Sequence, residues 1–314
     1  MKDLSRKCGK GVCCVPEMPS QSGIIGIVTV TYNSEHVLGD FFSSLSKQTH
    51  QKFILYAIDN ASVDRTRETL GQPAGFQVRI LANPDNRGVA EGNNQGIRQA
   101  LKDGCEYVLL LNNDVVFPED LLVNLVHGLE TQGCDIVTPK IYYYDQPNRI
   151  WAAGGRFQIW FGRTLHNGEG AVDNGQFHKA QKITYAPTCC ALIRSSVFEH
   201  VGLMDPKYFV YWDDVDFMYR VIRAGLTICF VPQCRLWHKV GSLTNTAPSQ
   251  FSLRFSTRNR IYFICKYFPK PVATLWILLY RTYLFLRYLL RRDSRAHWSV
   301  KESSINDGMR IANG

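Results

Sequence analysis

The stretch Ile24–Thr31 reads IIGIVTVT, an almost unbroken apolar run that is rich in β-branched residues. A run of this kind is typical of a strand that is buried on both faces, as in a parallel sheet covered by helices. We expect a helix directly after it, capped by Ser34 and with Val37, Leu38 and Phe41 on its apolar face. The stretch therefore predicts a strand–helix unit of an α/β fold.

The same alternation repeats along the chain that follows. Further strands are predicted at Phe53–Asp59, Val78–Ala82, Tyr107–Leu111 and Ile136–Tyr142. Between them, a helix that Ser62 caps is predicted to run to Leu70, Gly88–Leu101 is predicted to be a loop that enters a helix, and a further helix is predicted over Pro118–Glu130. Four alternations with short connections predict a doubly wound, mostly parallel sheet. Ligands bind beyond the carboxyl ends of the strands in such sheets, so a site is expected in the loops that follow them.

The alternation of predicted strands and helices ends at about residue 145, and shorter aromatic segments that glycines interrupt follow it. A helix is still predicted over Asp213–Ala224, and a strand over Leu226–Val231. We predict four parts: a flexible lead over 1–22, an α/β half over 23–145, a second half over 146–250 and a basic helical segment over 251–314.

Composition places the protein among ordinary globular chains. Hydrophobic residues make up 45% and charged residues 20% of the 314 residues, which excludes a mainly disordered chain or a coiled coil. The net charge of +9 is concentrated in Arg254–Lys301, where eleven Lys and Arg residues and one acid give a charge of +10. The rest of the chain therefore carries a net charge of −1. These cations alternate with aromatic and aliphatic residues, which favours an anionic membrane surface over nucleic acid as the partner.

Within that basic segment, Val272–Leu290 is apolar and nearly long enough to cross a bilayer. Arg281 and Arg287 interrupt it, and each would cost about 2.5–3.5 kcal/mol near the middle of a span. We therefore expect a helix that lies in the membrane interface rather than one that crosses it. A packing surface or an oligomer interface is the alternative.

The ten cysteines show no disulfide framework, because several are adjacent pairs, such as Cys189-Cys190, and others lie in apolar contexts. This usage is typical of free thiols in a reducing cytosol.

Two glycine-rich phosphate motifs are absent. The first predicted strand runs into Thr31-Tyr32-Asn33-Ser34 rather than G-x-G-x-x-G, and the chain contains no G-x-x-x-x-G-K-[ST]. A phosphorylated ligand would then need a divalent metal that carboxylates hold. Asp114, in the polar segment Asn112–Asp114 after a buried strand, is placed to bind Mg²⁺ or Mn²⁺, and Asn112 to hydrogen-bond a ribose hydroxyl. A plain turn is the alternative.

Three acids, Asp213, Asp214 and Asp216, lie within four residues and between aromatic residues. Repulsion between the carboxylates and the flanking apolar side chains would raise the pKa of whichever acid is buried, and a raised pKa suits a general base. The alternative is a helix N-terminus whose surface acids interact favourably with the helix dipole. His238 follows an apolar stretch and is a candidate metal ligand, although a lone histidine is more often structural.

Seven short segments, in this order between Ile24 and Pro271, resemble the family 2 glycosyltransferases of the GT-A fold. The branch that includes bacterial rhamnosyl- and galactofuranosyltransferases is the most similar. Each segment is weak alone, and their order and spacing carry the resemblance. The segments are Val28–Asn33, Asp59–Ser62, Asn86–Gly96, Leu110–Asp114, Trp212–Asp216, Trp237-His238 and Arg258–Arg260.

The resemblance implies that residues 23–145 bind a nucleotide-sugar and that residues 146–250 hold the acceptor. Asp59 matches the acid that accepts a hydrogen bond from a pyrimidine imide, and Arg258 would lie near the diphosphate. The implied nucleotide-binding residues are Thr31, Asn33, Asp59, Arg87, Asn94, Asn112, Asn113 and Arg258.

The resemblance also implies a metal and a base. Asp114 would hold Mn²⁺ or Mg²⁺ across the diphosphate, and His238 matches a histidine that completes the metal shell in some members. Asp214 matches the catalytic base, and Asp213 its neighbour that positions the acceptor or the sugar. Because Asn112 replaces the first acid of the D-x-D motif, either His238 compensates, which favours Mn²⁺, or the dependence on metal is weak.

The function that follows by resemblance is an inverting transfer from a nucleoside-diphosphate sugar, dTDP-rhamnose or a UDP-sugar, to a lipid-linked or surface-polysaccharide hydroxyl. Such an enzyme would lie on the cytoplasmic face of the cell membrane and would not bind nucleic acid. A sugar nucleotidyltransferase is one alternative, although Thr31-Tyr32-Asn33 matches its basic, glycine-rich first loop poorly. A non-catalytic nucleotide- or glycan-binding module is another, favoured by the lone acid of Asn112–Asp114 and opposed by Asp214.

Overall fold

The structure, a computed structural model, describes residues 23–72, 75–240 and 249–313. The predicted lead over 1–22 lies outside the described residues. The strands are β1 Ile25–Thr31, β2 Phe53–Asp59, β3 Gln77–Ala82, β4 Tyr107–Leu111, β5 Val115–Val116, β6 Ile136–Tyr143, β7 Ile150–Ala153, β8 Gly155–Gln158, β9 Arg163–His166, β10 Gln181–Ile183, β11 Cys190–Arg194 and β12 Ile228–His238. The α-helices are α1 Glu35–Ser46, α2 Thr66–Leu70, α3 Gly88–Lys102, α4 Leu121–Gln132, α5 Ser196–Val201, α6 Asp213–Arg223, α7 Gln250–Tyr267, α8 Lys270–Leu289 and α9 Arg295–Asn313.

One mixed sheet forms the centre of the protein, with the strand order β10-β12-β6-β11-β4-β1-β2-β3. The four strands β3, β2, β1 and β4 are parallel neighbours, which confirms the predicted α/β fold with a mostly parallel sheet. Strand β11 is antiparallel and lies between β4 and β6, so the fourth and fifth predicted strands are not neighbours. Because Thr31 pairs with Asp59, the first two parallel strands end at the same edge of the sheet.

Helices cover both faces of β1, as its sequence predicts. Ile25 and Ile27 pack with the α1 residue Phe41 on one face, and all three are fully buried. On the other face α3 comes so close that a Cβ on Gly96 would overlap the side chain of Val28. The buried apolar run therefore holds the sheet between two helical layers.

The last three helices form a cluster beside the sheet, in which α7 packs on α9 and α8 contacts both. Helix α8 buries Ala273, Ile277 and Leu284. Most of its other large apolar side chains are exposed, while Trp276, Tyr280 and Tyr288 are half-buried. The exposed ones are Val272, Leu275, Leu278, Leu279, Tyr283, Phe285, Leu286 and Leu289. Within the described ranges, no helix combines the length and the apolar character that crossing a bilayer requires.

Both serine caps were predicted wrongly. Ser34 occupies the N-cap position of α1 without a side-chain cap bond, and its hydroxyl instead accepts from the backbone N–H of Tyr32. The helix predicted from Ser62 begins at Thr66, and the Ser62 hydroxyl accepts from the N–H of Asn33. Ser62 thus connects the loops after β1 and β2, because a tertiary partner competes with the local cap.

Two further expectations are corrected. Cys134 and Cys229 form a disulfide, with Cα atoms 6.3 Å apart, where free thiols were predicted. Cys134 lies two residues before β6 and Cys229 lies on its neighbour β12, a pairing that sequence spacing does not reveal. The strand predicted to end at Val231 continues as β12 to His238, because a register irregularity between Val231 and Arg235 accommodates the intervening Pro232.

Candidate active site

Strand β4 delivers Asn112, Asn113 and Asp114 to the carboxyl edge of the sheet. Asn113 is buried, and its amide donates to the carbonyl of Val30 at 3.1 Å and to the Ser34 hydroxyl at 3.2 Å. It therefore ties the end of β4 to the end of β1. Asn112 is exposed and lines a cavity of about 520 Å³.

Asp114 meets His238 because β5, which follows Asp114, pairs antiparallel with the end of β12. The Nε2 atom of His238 lies 3.2 Å from Oδ1 of Asp114, and both side chains are largely buried. The ring of Trp151 packs against His238 with 4.9 Å between ring centroids and fixes the orientation of the imidazole. His238 lines the same cavity as Asn112, so the pair stands at its edge.

This pair fits a divalent ion that a ligand's diphosphate would help to hold. The Nε2 atom of His238 faces the Asp114 carboxylate, and its Nδ1 atom is buried without a hydrogen-bond partner. One carboxylate and one imidazole are also donors that Mn²⁺ accepts. Among the residues described, no group of three or more His, Cys, Asp or Glu side chains is arranged to hold a metal. With Asp114 and His238 as ligands, the remaining positions around an ion would be filled by substrate phosphates and water.

Helix α6 begins at Asp213 and places two acids against the cavity. Asp214 accepts a hydrogen bond of 2.6 Å from the hydroxyl of Tyr185 and one of 2.7 Å from the backbone N–H of Val215. Burial raises the pKa of Asp214 above its usual value, and the hydrogen bond from Tyr185 opposes that rise. Burial, reinforced by the neighbouring Asp214 carboxylate, raises the pKa of Asp213 to about 8.

The third acid, Asp216, has a structural role. It is fully buried and pairs with Arg220 at 2.9 Å and with Lys266 at 2.8 Å. It also accepts from the hydroxyl of Tyr208 at 3.1 Å. These partners join α6 to α7 and leave Asp213 and Asp214 as the acids that line the cavity.

Two residues that the sequence did not single out complete the cavity. Tyr185 lines it and donates to Asp214, from a position 29 residues earlier in the chain. His166 also lines it, and its ring stacks on Tyr185 with 5.8 Å between centroids. Burial lowers the pKa of His166, so its imidazole is neutral near pH 7. Neither residue belongs to a local motif, so no sequence signal identified them.

A second cavity, of about 600 Å³, adjoins the first. It is lined by Val30 and Tyr32 from the end of β1, by Asn60 after β2, by Gly88 and Val89 at the start of α3, and by Phe209 and Val210. Val89 and Val210 line both cavities, so the two cavities share a wall. This volume at the carboxyl edge of a doubly wound sheet is where such folds place a nucleotide.

Three of the predicted nucleotide-binding residues, Thr31, Asn33 and Asp59, adjoin residues that line this cavity but do not line it themselves. Asp59 is fully buried and bonds Nε of Arg67 at 2.9 Å, and the hydroxyl of Thr31 donates to it at 3.4 Å. The side-chain oxygen of Asn33 accepts from the N–H of Val63. Successive residues of a strand point to opposite sides, so Val30 and Tyr32 face the cavity while Thr31 faces Asp59.

The structure does not bring the other predicted nucleotide residues to the cavities. Arg87 pairs with Asp85 at 3.2 Å near the surface, and the buried Asn94 exchanges two hydrogen bonds with the backbone of Met204. Arg258 donates to the carbonyl oxygens of residues 207 and 208. Of the eight predicted nucleotide residues, only Asn112 is among the described residues that line either cavity.

The segment that enters α6 is strained. Phe209, Tyr211 and Trp212 have φ angles of +65°, +62° and +69°, in the left-handed region that non-glycine residues rarely adopt. Each such residue costs about 1–3 kcal/mol and persists only where its surroundings impose it, most often at functional sites. This strain lies directly before Asp213 and Asp214, between the two cavities.

The family model for glycosyl transferase family 2 matches residues 26–202, more than half of the chain. The chain belongs to this family. A relative from Haloferax volcanii, described as a low-salt glycan biosynthesis hexosyltransferase, is 26% identical over 76% of this chain and 72% of its own. The N-acetylglucosaminyl-diphospho-decaprenol L-rhamnosyltransferase of Mycobacterium tuberculosis is 24% identical over 89% of this chain and 98% of its own.

The fold also matches solved glycosyltransferases. The crystal structure of GalNAc-T7 with UDP, GalNAc and Mn²⁺ superposes with a TM-score of 0.60 at 17% identity. The match covers 78% of this chain and half of that one. The family and this fold confirm the predicted GT-A architecture, and the C-terminal helices follow the matched region.

Proposed function

We propose that this protein is an inverting glycosyltransferase that moves a hexose from a nucleoside-diphosphate sugar to the hydroxyl of a saccharide acceptor. One observation carries the proposal: the cavity that Asp214 lines also contains His238 beside Asp114, and it shares a wall with a cavity at the nucleotide-binding edge. A candidate base and a candidate metal-binding pair therefore meet at one cavity.

In the proposed reaction, Asp214 removes the proton from the acceptor hydroxyl while that oxygen attacks the anomeric carbon opposite the leaving diphosphate. The hydrogen bonds from Tyr185 and from the N–H of Val215 orient the carboxylate and favour its charged form. Asp213, protonated up to about pH 8, donates to a sugar or acceptor hydroxyl without competing for that proton. A Mn²⁺ or Mg²⁺ ion held by Asp114 and His238 would supply positive charge to the diphosphate.

The relatives narrow the substrates that we propose. A rhamnosyltransferase that acts on a diphospho-decaprenol acceptor aligns over nearly its whole length, which supports a rhamnose donor and a lipid-linked acceptor. For the nucleotide we propose a pyrimidine diphosphate, dTDP or UDP, whose base stacks on the aromatic residues Tyr32 or Phe209 that line the second cavity.

We also propose that the α8 face docks on the inner surface of the cell membrane. Leu278 and Leu279 are 60% and 61% exposed there, and Lys270 precedes while Arg291 and Arg292 follow this apolar stretch. An apolar face bounded by cations fits the boundary between acyl chains and anionic headgroups. The exposed Trp160 is continuous with it, because its carbonyl accepts from the indole N–H of Trp276 on α8.

Substitution tests this docking better than truncation, because removing α8 would uncover side chains that it buries. Leu278→Ser with Leu279→Ser should lower co-sedimentation with phosphatidylglycerol vesicles, while Val172→Ser, an exposed apolar residue elsewhere, should not. Unchanged partitioning of the double variant would contradict the docking face.

Asp214→Asn tests the transfer itself. We expect at least a 100-fold loss of nucleoside-diphosphate release in the presence of acceptor, because a general base contributes about 10²–10⁴-fold, with nucleotide affinity retained. Asp103→Asn is the matched control, since Asp103 also accepts a 2.6 Å bond from a tyrosine, Tyr56, but lies outside both cavities. Full activity of Asp214→Asn would remove Asp214 from the base role.

A further inference from the structure

Asn259 on α7 is fully buried, and its amide faces the strained segment before α6. Its Nδ2 atom lies within hydrogen-bond distance of three carbonyl oxygens, those of Tyr208 at 2.9 Å, Val210 at 2.7 Å and Tyr211 at 2.8 Å. The two N–H groups of the amide are thus shared among three acceptors. One side chain therefore holds backbone carbonyls before and after both Phe209 and Tyr211, two of the residues with positive φ angles.

The neighbouring contacts make this arrangement rigid. The side-chain oxygen of Asn259 accepts from Nε of Arg258 at 2.8 Å, and Arg258 itself donates to the carbonyl of Tyr208 at 2.7 Å. From the opposite side, the N–H of Val89 at the start of α3 donates to the carbonyl of Phe209 at 2.6 Å. The segment is therefore fixed between the nucleotide-side helix α3 and the helix α7.

From this geometry we infer that Asn259 is a positioning residue, which holds Phe209–Trp212 in its left-handed conformation and thereby places Asp213 and Asp214 in the cavity. Without the amide, the carbonyls of Val210 and Tyr211 lose the Asn259 donor, the carbonyl of Tyr208 keeps Arg258, and the segment relaxes toward unstrained angles. The first turn of α6 then moves or frays, because it begins directly after Trp212. The catalytic part of this inference rests on the proposed function, and the structural part does not.

Hydrogen exchange of the peptide that spans residues 208–214 tests the structural part without any substrate. Asn259→Ala should raise the exchange rate of this peptide at least tenfold. The matched control is Gln48→Ala, because Gln48 is also a buried amide that donates to two carbonyls, those of Ser44 and Pro118, far along the chain from the segment. Gln48→Ala should leave the exchange of residues 208–214 unchanged at a comparable loss of melting temperature.

Kinetics test the catalytic part. Asn259→Ala should lower kcat at least tenfold and raise the Kd for the nucleoside diphosphate by less, because the segment leads into both acids but contributes only Phe209 and Val210 to the nucleotide cavity. A general loss of stability does not produce this split. Asn259→Ser is a milder variant that keeps one hydroxyl donor, and it should lie between wild type and Asn259→Ala in both measurements.

Each result decides something. Unchanged exchange over 208–214 in both Asn259 variants overturns the inference, as does a kcat no lower than that of Gln48→Ala. If the wild-type protein transfers no sugar, the proposed function fails, while the exchange experiment still decides whether Asn259 holds the segment.

Discussion

Replacing Tyr185 by Phe removes one hydrogen bond from the proposed base and little else. The hydroxyl of Tyr185 lies 2.6 Å from Oδ2 of Asp214 and stabilises the charged carboxylate, so it lowers a pKa that burial raises. A hydrogen bond to a charged group contributes about 1.5–3 kcal/mol, and one pKa unit corresponds to about 1.4 kcal/mol. The bond is therefore worth about 1–2 pKa units.

The assay is the pH dependence of kcat/KM, followed by release of the nucleoside diphosphate. Because the base must be ionised, activity rises with pH through the apparent pKa of the Asp213–Asp214 pair. Tyr185→Phe should move this acidic limb upward by about one pH unit or more, and activity should recover at high pH. Tyr56→Phe, which removes a bond of the same 2.6 Å length from Asp103, should leave the limb in place. A Tyr185→Phe profile with an unshifted limb would refute Asp214 as the group that titrates.

The remaining predictions concern the acid pair, the metal and the core. Asp213 keeps its proton to about pH 8 in the folded protein but loses it near pH 4 when unfolded. The free energy of unfolding should thus fall as pH rises between these values. Asp213→Asn should make the melting temperature nearly independent of pH between pH 5 and pH 8. A variant whose melting temperature falls with pH as steeply as that of the wild type would contradict this. His238→Ala should abolish the Mn²⁺-dependent part of the thermal shift by a nucleoside diphosphate, and an undiminished Mn²⁺ effect would exclude His238 as a ligand. Gly96→Ala should destabilise by about 1–3 kcal/mol in urea unfolding because its Cβ overlaps Val28, whereas Gly39→Ala, with open space around it, should not.

Local patterns predicted the first half of the fold well. The bounds of β2 and β4 agree with the prediction, and β1 differs by one residue, because unbroken apolar runs of strand length have few alternatives. The position of β11 between β4 and β6 was not predictable in the same way. Sheet order depends on pairing between distant segments, and no local pattern in Cys190–Arg194 specifies its neighbours.

The candidate site also contains residues that a local pattern predicts and residues that only contacts between distant segments reveal. Asp213 and Asp214 were recognised because an acid cluster at a helix start is a local pattern, and the structure places both at the cavity. Tyr185 and Asn259 were not recognised, since their contacts reach 29 residues or more along the chain. Asn94 was predicted to bind the nucleotide from its local segment, and in the structure its amide donates to the backbone of Met204, 110 residues away.

The central claim, that this protein binds a nucleoside diphosphate through a divalent metal in order to transfer a sugar, is tested most directly by thermal shift. The panel contains uridine, deoxythymidine, guanosine and adenosine diphosphates, each with and without Mn²⁺. A ligand at 100 times its Kd adds about 2.7 kcal/mol, and about 2–4 °C per kcal/mol makes the shift several degrees. We predict a Mn²⁺-dependent shift with one pyrimidine diphosphate. No shift with any nucleotide, from folded protein, would contradict the claim and favour a non-catalytic glycan-binding module.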